Sequence, residues 1–274
     1  MGLRVNTNIA SLNAQRNLTQ STLKLNRSLE RLSSGLRINR AADDAAGLAI
    51  SERFRAEIRS LAQAERNAND GVSLLQIAEG ALNETSGILI RLRELAVQSA
   101  NGTLGQGERD ALNEEFQAQI EEIDRIAAIT EFNGTQILNT TGTSITFQVG
   151  ANNTANDQIT VTGVDATASG VGVSSMDISS VSGAQTALSG LTSAINSVAS
   201  LRGQFGAAQN RLESAIRSIQ IAIENTSAAE SRIRDVDVAS ETAELTKNQV
   251  LQQAGVSVLA QANTSTQAVL RLLQ

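Results

Sequence analysis

Cysteine, histidine, proline, tryptophan and tyrosine do not occur in this chain of 274 residues, which leaves phenylalanine, present five times, as its one aromatic residue type. Without histidine or cysteine the usual zinc sites, Ser–His relays and thiolate nucleophiles cannot be built. Disulfides are excluded as well, and with them any clue to the redox compartment. The missing proline leaves long helices free to run without interruption. So few aromatics mean an interior of Leu, Ile, Val and Ala, which suits close helix packing better than the core of a globular enzyme.

Lysine is nearly absent too. Lys24 and Lys247 are the only two, so the basic character is almost wholly arginine, the better side chain for fixed ion pairs. A net charge of −6 leaves no basic patch to meet phosphates, and nucleic acid is not an expected partner. No apolar run approaches the roughly 18 residues that cross a bilayer. The start, MGLRVNTNIASLN, lacks the apolar centre of a cleaved signal peptide, and Asn6 stands where the myristoylation pattern needs Ser or Thr. The expectation is a cytoplasmic protein, or one exported by a route that cleaves nothing. Acidic clusters such as Glu121, Glu122 and Asp124 read as a solvated helix face rather than a catalytic pair, and no glycine-rich phosphate loop is present. Neither enzyme activity nor a cofactor or metal is expected.

What the chain does contain is a seven-residue repeat. Phe54, Leu61, Ala68, Leu75, Leu82, Leu89 and Ala96 recur one heptad apart, and Leu191, Val198, Phe205, Leu212 and Ile219 do the same near the other end. Such a seam is stable only when another helix covers it. The first run predicts a helix from Ala45 to Ser99, roughly 80 Å long at about 1.5 Å per residue. A compact globule of this length has a radius of gyration of only about 19 Å, so the predicted fold is a mainly α rod of long antiparallel helices.

Leu18, Thr22, Leu25, Leu29, Leu32 and Leu36 mark an amphipathic helix near the amino end, from about Asn6 to a stop at Gly35. Asp43 and Asp44 are placed to cap the long helix, and NGTLGQG after Ala100 supplies a reversal into a helix with Leu112, Phe116, Ile120, Ile123 and Ala127 on one face. Ile145, Phe147 and Val149, then Ile159 and Val161, alternate with polar residues and predict a β-hairpin at about 143–162. Residues 163–184, rich in Ser, Gly, Thr and Val, are expected to be variable and solvent-facing. Helical period returns from Leu188 to Ile223, and a final helix carries apolar residues around much of its circumference. Val256, Val258, Leu259, Val269, Leu270, Leu272 and Leu273 cannot all face one partner, so the chain is expected to associate with copies of itself.

The residues are specific enough to compare with a family. LERLSSGLRINRAADDAAGLAISERFRAEIRSL, NDGVSLLQIAEGALNE, RELAVQSANGT and the closing LTKNQVLQQAGVSVLAQANTSTQAVLRLLQ resemble bacterial flagellin, over about 140 residues at one end and about 90 at the other. The resemblance implies a filament subunit in which residues 1–44 and 235–274 form a coiled-coil core domain. Residues 45–162 and 185–234 would form a helical rod, with 163–184 in place of the large outer domains of other members. It implies a polymerisation core of Ile9, Leu12, Leu18, Leu25, Leu29, Leu32, Leu251, Val258, Leu259, Val269, Leu270, Leu272 and Leu273. The rod core would be Phe54, Leu61, Leu75, Leu82, Leu89, Val198, Phe205, Leu212 and Ile219.

By the same resemblance the chain leaves the cell unfolded through the flagellar type III apparatus, with an export chaperone, a filament cap and hook–filament junction proteins as partners, and functions in the extracellular filament. Arg91, Leu95 and Glu115 match positions through which some flagellins contact a Toll-like receptor. Rival readings are a hook–filament junction protein, a released monomer acting as an innate immune ligand, and an enzyme. The last is disfavoured by the missing HExxH motif and the missing outer domain.

Overall fold

The computed structural model describes residues 7–140 and 142–272, except for the side chains of 265–272. Five helices, α1 (Ile9–Ser34), α2 (Ala45–Ser99), α3 (Gln106–Ile129), α4 (Val181–Arg234) and α5 (Val238–Leu272), carry most of the described chain. Two small antiparallel sheets lie between α3 and α4 in the sequence, β1 (Glu131–Phe132) with β2 (Thr135–Gln136) and β3 (Ser144–Gln148) with β4 (Gln158–Thr162). The long helix has the predicted bounds. The predicted hairpin also forms, in a register that sets Ile145 opposite Val161 and Phe147 opposite Ile159. Helix α4 is longer than its apolar period implies at both ends, because polar residues such as Ser182 and Arg232 continue the helix without facing a core.

The chain divides into two compact units, Met1–Ala56 with Asn225–Gln274, and Glu57–Glu224. The division falls inside α2 and α4, whereas the sequence pattern places the domain boundaries at helix ends.

In the central unit the heptads behave as written. Leu61, Ala68, Leu75, Leu82, Leu89 and Ala96 on α2 are buried, as are Leu191, Val198, Phe205, Leu212 and Ile219 on α4, in one cluster with Phe116, Ile120 and Ile123 of α3. Phe54 is the exception. It lies in the terminal unit, is half-buried, and has the Arg53 guanidinium 5.9 Å from its ring centroid, so it extends the repeat in the sequence but not the rod core. Gly71 sits where α2 meets both α4 and the hairpin: a Cβ there would stand 3.0 Å from Leu212 and 3.2 Å from Phe147. A mid-helix glycine costs about 1 kcal/mol, and close packing of Phe147 against the helix offsets it.

Residues 163–184 depart from the solvent-facing expectation. Val164, Ala166, Ala168, Val171, Val173 and Ile178 are buried in the same cluster. Their backbone is satisfied without regular structure. Val164 and Ala166 donate to the carbonyls of Ile137 and Leu138, both at 2.8 Å. Helix α3 supplies three more: Asp124 accepts from Ala168 N at 2.7 Å, Asn113 accepts from Ile178 N at 3.1 Å, and Gln117 donates to Met176 O at 2.9 Å. A strap with its polar backbone paired can be buried, and this one is.

Candidate self-association surface

The terminal unit is organised around α1 and α5, which pack antiparallel. Asn8 caps α1 by accepting from Ser11 N at 3.0 Å, and its own amide donates to Ala262 O at 2.9 Å, tying the start of α1 to the far part of α5. At the other end of α1, Gly35 takes the left-handed conformation (φ 72°) and its N–H closes the helix on Arg31 O. Beyond it, Arg37 N donates to Arg234 O at 2.6 Å and Val236 N to Gly35 O at 3.0 Å, so the two connecting segments meet as a minimal β-bridge. Arg31 pairs with Glu241 at 3.4 Å.

Arginine–carboxylate pairs surround this junction. Arg27 meets Asp43 at 3.5 Å, Arg40 meets Glu30 at 2.9 Å, and Glu52 receives both Arg55 and Arg234 at 3.0 Å. The Arg55 guanidinium, reinforced by Arg234, holds the Glu52 carboxyl below the ordinary carboxylate range. Of the two aspartates expected to cap α2, Asp44 does so, accepting from Gly47 N at 2.8 Å, while Asp43 is engaged by Arg27.

Against this polar framework the apolar content is conspicuous for what it leaves open. Ala14 and Ile38 are the only buried hydrophobic residues of the terminal unit among the described residues. The predicted polymerisation core splits in two. Leu18, Leu25, Leu32 and Leu259 are half-buried in the pair of helices. Ile9 (58% exposed), Leu12 (54%), Leu29 (48%), Leu251 (47%) and Val258 (56%) face outward. The side chains of Val269, Leu270, Leu272 and Leu273 lie outside the described residues. Leu23, Val238 and Val250 are also exposed, and the sequence pattern does not single them out. Leu23 lies beside the α1 stripe rather than on it. Val250 could have been found by extending the all-round apolar character of α5 one turn earlier.

The three candidate receptor residues do not share one fate. Arg91 and Glu115 are both partly exposed and joined at 2.7 Å, with Glu94 on the same guanidinium at 3.0 Å. Leu95 is fully buried in the central core, so direct contact with a receptor is not open to it. The acidic cluster of α3 is engaged in structural bonds: Glu122 binds Arg125, and Asp124 holds the strap. Among the described residues no group of three or more acidic side chains is placed to hold a metal ion, and no helix is long and apolar enough to cross a membrane.

A family profile described as the bacterial flagellin N-terminal helical region matches residues 5–143, and one for the C-terminal helical region matches 188–273. The chain belongs to the bacterial flagellin family. It is similar to a flagellin of Halalkalibacterium halodurans, 48% identical over 98% of this chain and 99% of that one. It is 43% identical to the flagellar filament 33 kDa core protein of Treponema phagedenis, over 98% and 99%. With a flagellin of Bacillus subtilis it shares 42% over 99% and 100%. The crystal structure of Bacillus cereus flagellin superposes with a TM-score of 0.51 at 33% identity, covering 56% of this chain and 88% of that one. Flagellins are structural proteins and not enzymes, which agrees with a site made of apolar helix faces rather than titrating groups.

Proposed function

We propose that this chain is a structural subunit of a bacterial flagellar filament and that its copies join through the outward apolar faces of α1 and α5. One observation carries the reading: a terminal unit that, among the described residues, encloses almost none of its apolar side chains while exposing Ile9, Leu12, Leu29, Leu251 and Val258. At about 25 cal/mol per Å² of apolar surface removed from water, covering each half-exposed side chain is worth on the order of 1 kcal/mol. Contacts repeated head to tail without closing on themselves give a helical polymer. Residues 1–44 and 235–274 act as the inner assembly core and 45–162 with 185–234 as the surrounding rod. Leu18, Leu25, Leu32, Leu259, Val269, Leu270, Leu272 and Leu273 complete the inner layer.

The polymer functions outside the cell, which requires export of the subunit. An export chaperone that covers exposed α5 residues such as Val256 and Val258, a filament cap and hook–filament junction proteins are the partners that this role brings. Seeding the purified chain with filament fragments, followed by sedimentation and electron microscopy, tests the reading. Long fibres are expected, whereas a junction protein would cap the seeds without elongating them. Deleting residues 256–274 is expected to leave a non-assembling chain with an intact central unit. If the truncated chain elongates as well as the full one, the contact does not lie on α5.

A second reading has its own support in the exposed Arg91–Glu115 pair: released monomer as a ligand for a flagellin-sensing Toll-like receptor. Reporter cells are expected to respond to monomer and to lose the response with Arg91→Ala. Equal signalling by that variant removes this reading.

A further inference from the structure

Met1 and Met176 are the only methionines of the chain. Met176 lies in the strap of the central unit, half-buried between the exposed residues Ser175 and Asp177. Its side chain is seated on α4 over Gly190: a Cβ added there would overlap Met176 Cε and stand 3.5 Å from Sδ. Gly183, one heptad earlier on the same helix, makes room in the same way for the Asp177 carbonyl, which would lie 2.6 Å from its Cβ. Glycine inside a helix weakens it, so the slot on α4 is kept at a cost. On its other flank the strap is held by polar bonds, with Gln117 donating to Met176 O and Asn113 and Ser99 engaging the backbone of Ile178. Beneath it Val171, Val173 and Ile178 are enclosed.

A methionine fills such a slot because it is flexible and apolar and asks for no hydrogen bond. It is also the side chain that a peroxide makes polar. The sulfur lone pair takes one peroxide oxygen as the O–O bond breaks, and the other oxygen leaves as water with both protons, so sulfur is oxidised by two electrons and the peroxide reduced by two. A sulfoxide oxygen needs a donor, yet the surface under Sδ is a helical glycine whose N–H belongs to the helix ladder. We propose, independently of the assembly, that Met176 is a modification site for small peroxides and that its sulfoxide lifts the strap off α4.

The full-length chain, treated natively with hydrogen peroxide beside Met176→Leu, tests this by peptide mass spectrometry and amide hydrogen exchange. Met176 is expected to gain one oxygen, and exchange across 171–180 to speed about tenfold, while amides around Leu82 stay as they were. Methionine sulfoxide reductases for both sulfoxide epimers are expected to restore the original exchange, which decides the matter on wild-type chain even where leucine does not fit the slot. Met176→Leu is expected to exchange at the untreated rate with or without peroxide. Met176 left unoxidised while free methionine in the same solution is consumed overturns the proposal. So does complete oxidation with unchanged exchange, or equal acceleration in Met176→Leu. None of these readouts requires the chain to polymerise.

Discussion

The two units of this molecule use the same amino acids to opposite ends. Between Glu57 and Glu224, leucine, isoleucine and valine join alanine and phenylalanine in one enclosed core, down to an irregular strap that brings Val173 and Ile178 into it. In the terminal unit, side chains of the same kinds on α1 and α5 stand half in water, and the pair is tied by Asn8, Arg31 and a β-bridge rather than by enclosed hydrocarbon. A two-helix pair offers each helix one neighbour, and a helix that is apolar around much of its circumference cannot be sheltered by one neighbour. The first unit is a finished fold. The second leaves apolar side chains in water, and the proposed assembly is what would cover them.

Substitutions that remove one apolar side chain from each unit break the comparison most sharply. Leu82→Ala or Leu212→Ala, at fully enclosed positions, is expected to cost about 2–5 kcal/mol in denaturant unfolding of the central unit. Leu251→Ala, at a 47% exposed position, is expected to change the stability of the unassembled chain by less than about 1 kcal/mol while raising the concentration needed for seeded assembly about tenfold. A comparable stability loss at Leu251 would mean that the terminal helices are packed like the central ones.

Next in size is the turn between α2 and α3. Arg109, 8% exposed, donates to the carbonyls of Ser99 (3.0 Å), Leu104 (2.7 Å) and Asn101 (2.8 Å). Arg109→Met is expected to lower central-unit stability by about 2–3 kcal/mol, because three carbonyls lose a charged donor. Asp124→Ala, which frees Ala168 N, is expected to cost about 1–2 kcal/mol and to speed exchange across 164–179.

The smallest effect belongs to the terminal unit and concerns pH. The Glu52 carboxyl is held below its ordinary value of 4.5 by Arg55 and Arg234. A carboxyl depressed on folding adds stability above its unfolded value and loses it as the pH falls through the folded one. The stability of the terminal unit is therefore expected to weaken slightly below about pH 4.5, and Glu52→Gln is expected to flatten that dependence. Since the pair is exposed, a large change would point to a different carboxylate.

How much of this was legible beforehand follows from the same contrast. The central seam could be read because a heptad states its own burial: from Leu61 to Ile219 each predicted position is enclosed, and Phe54 fails only because the compact central unit begins after it. The hairpin was legible from alternation at Ile159 and Val161. The strap was not, since Ser-, Gly- and Thr-rich sequence has no period, and its burial depends on Asn113, Gln117 and Asp124, which on α3 alone look like a solvated face. Leu95 misleads for the complementary reason: its motif suggests a contact surface, yet its place on α2 turns it inward. On the terminal helices the apolar residues are plain in the sequence but their division is not. Which of Leu18 and Leu29 is sheltered depends on the register set by Asn8 with Ala262 and Arg31 with Glu241, and those are long-range contacts.

Amide hydrogen exchange, compared between the unassembled chain and seeded filaments, tests the central claim most directly. Protection along α1 and α5 is expected to rise by about a hundredfold on assembly, while amides around Leu82 and Phe205 change little. Equal protection of α1 and α5 in both states would contradict the claim that copies of the chain cover these helices.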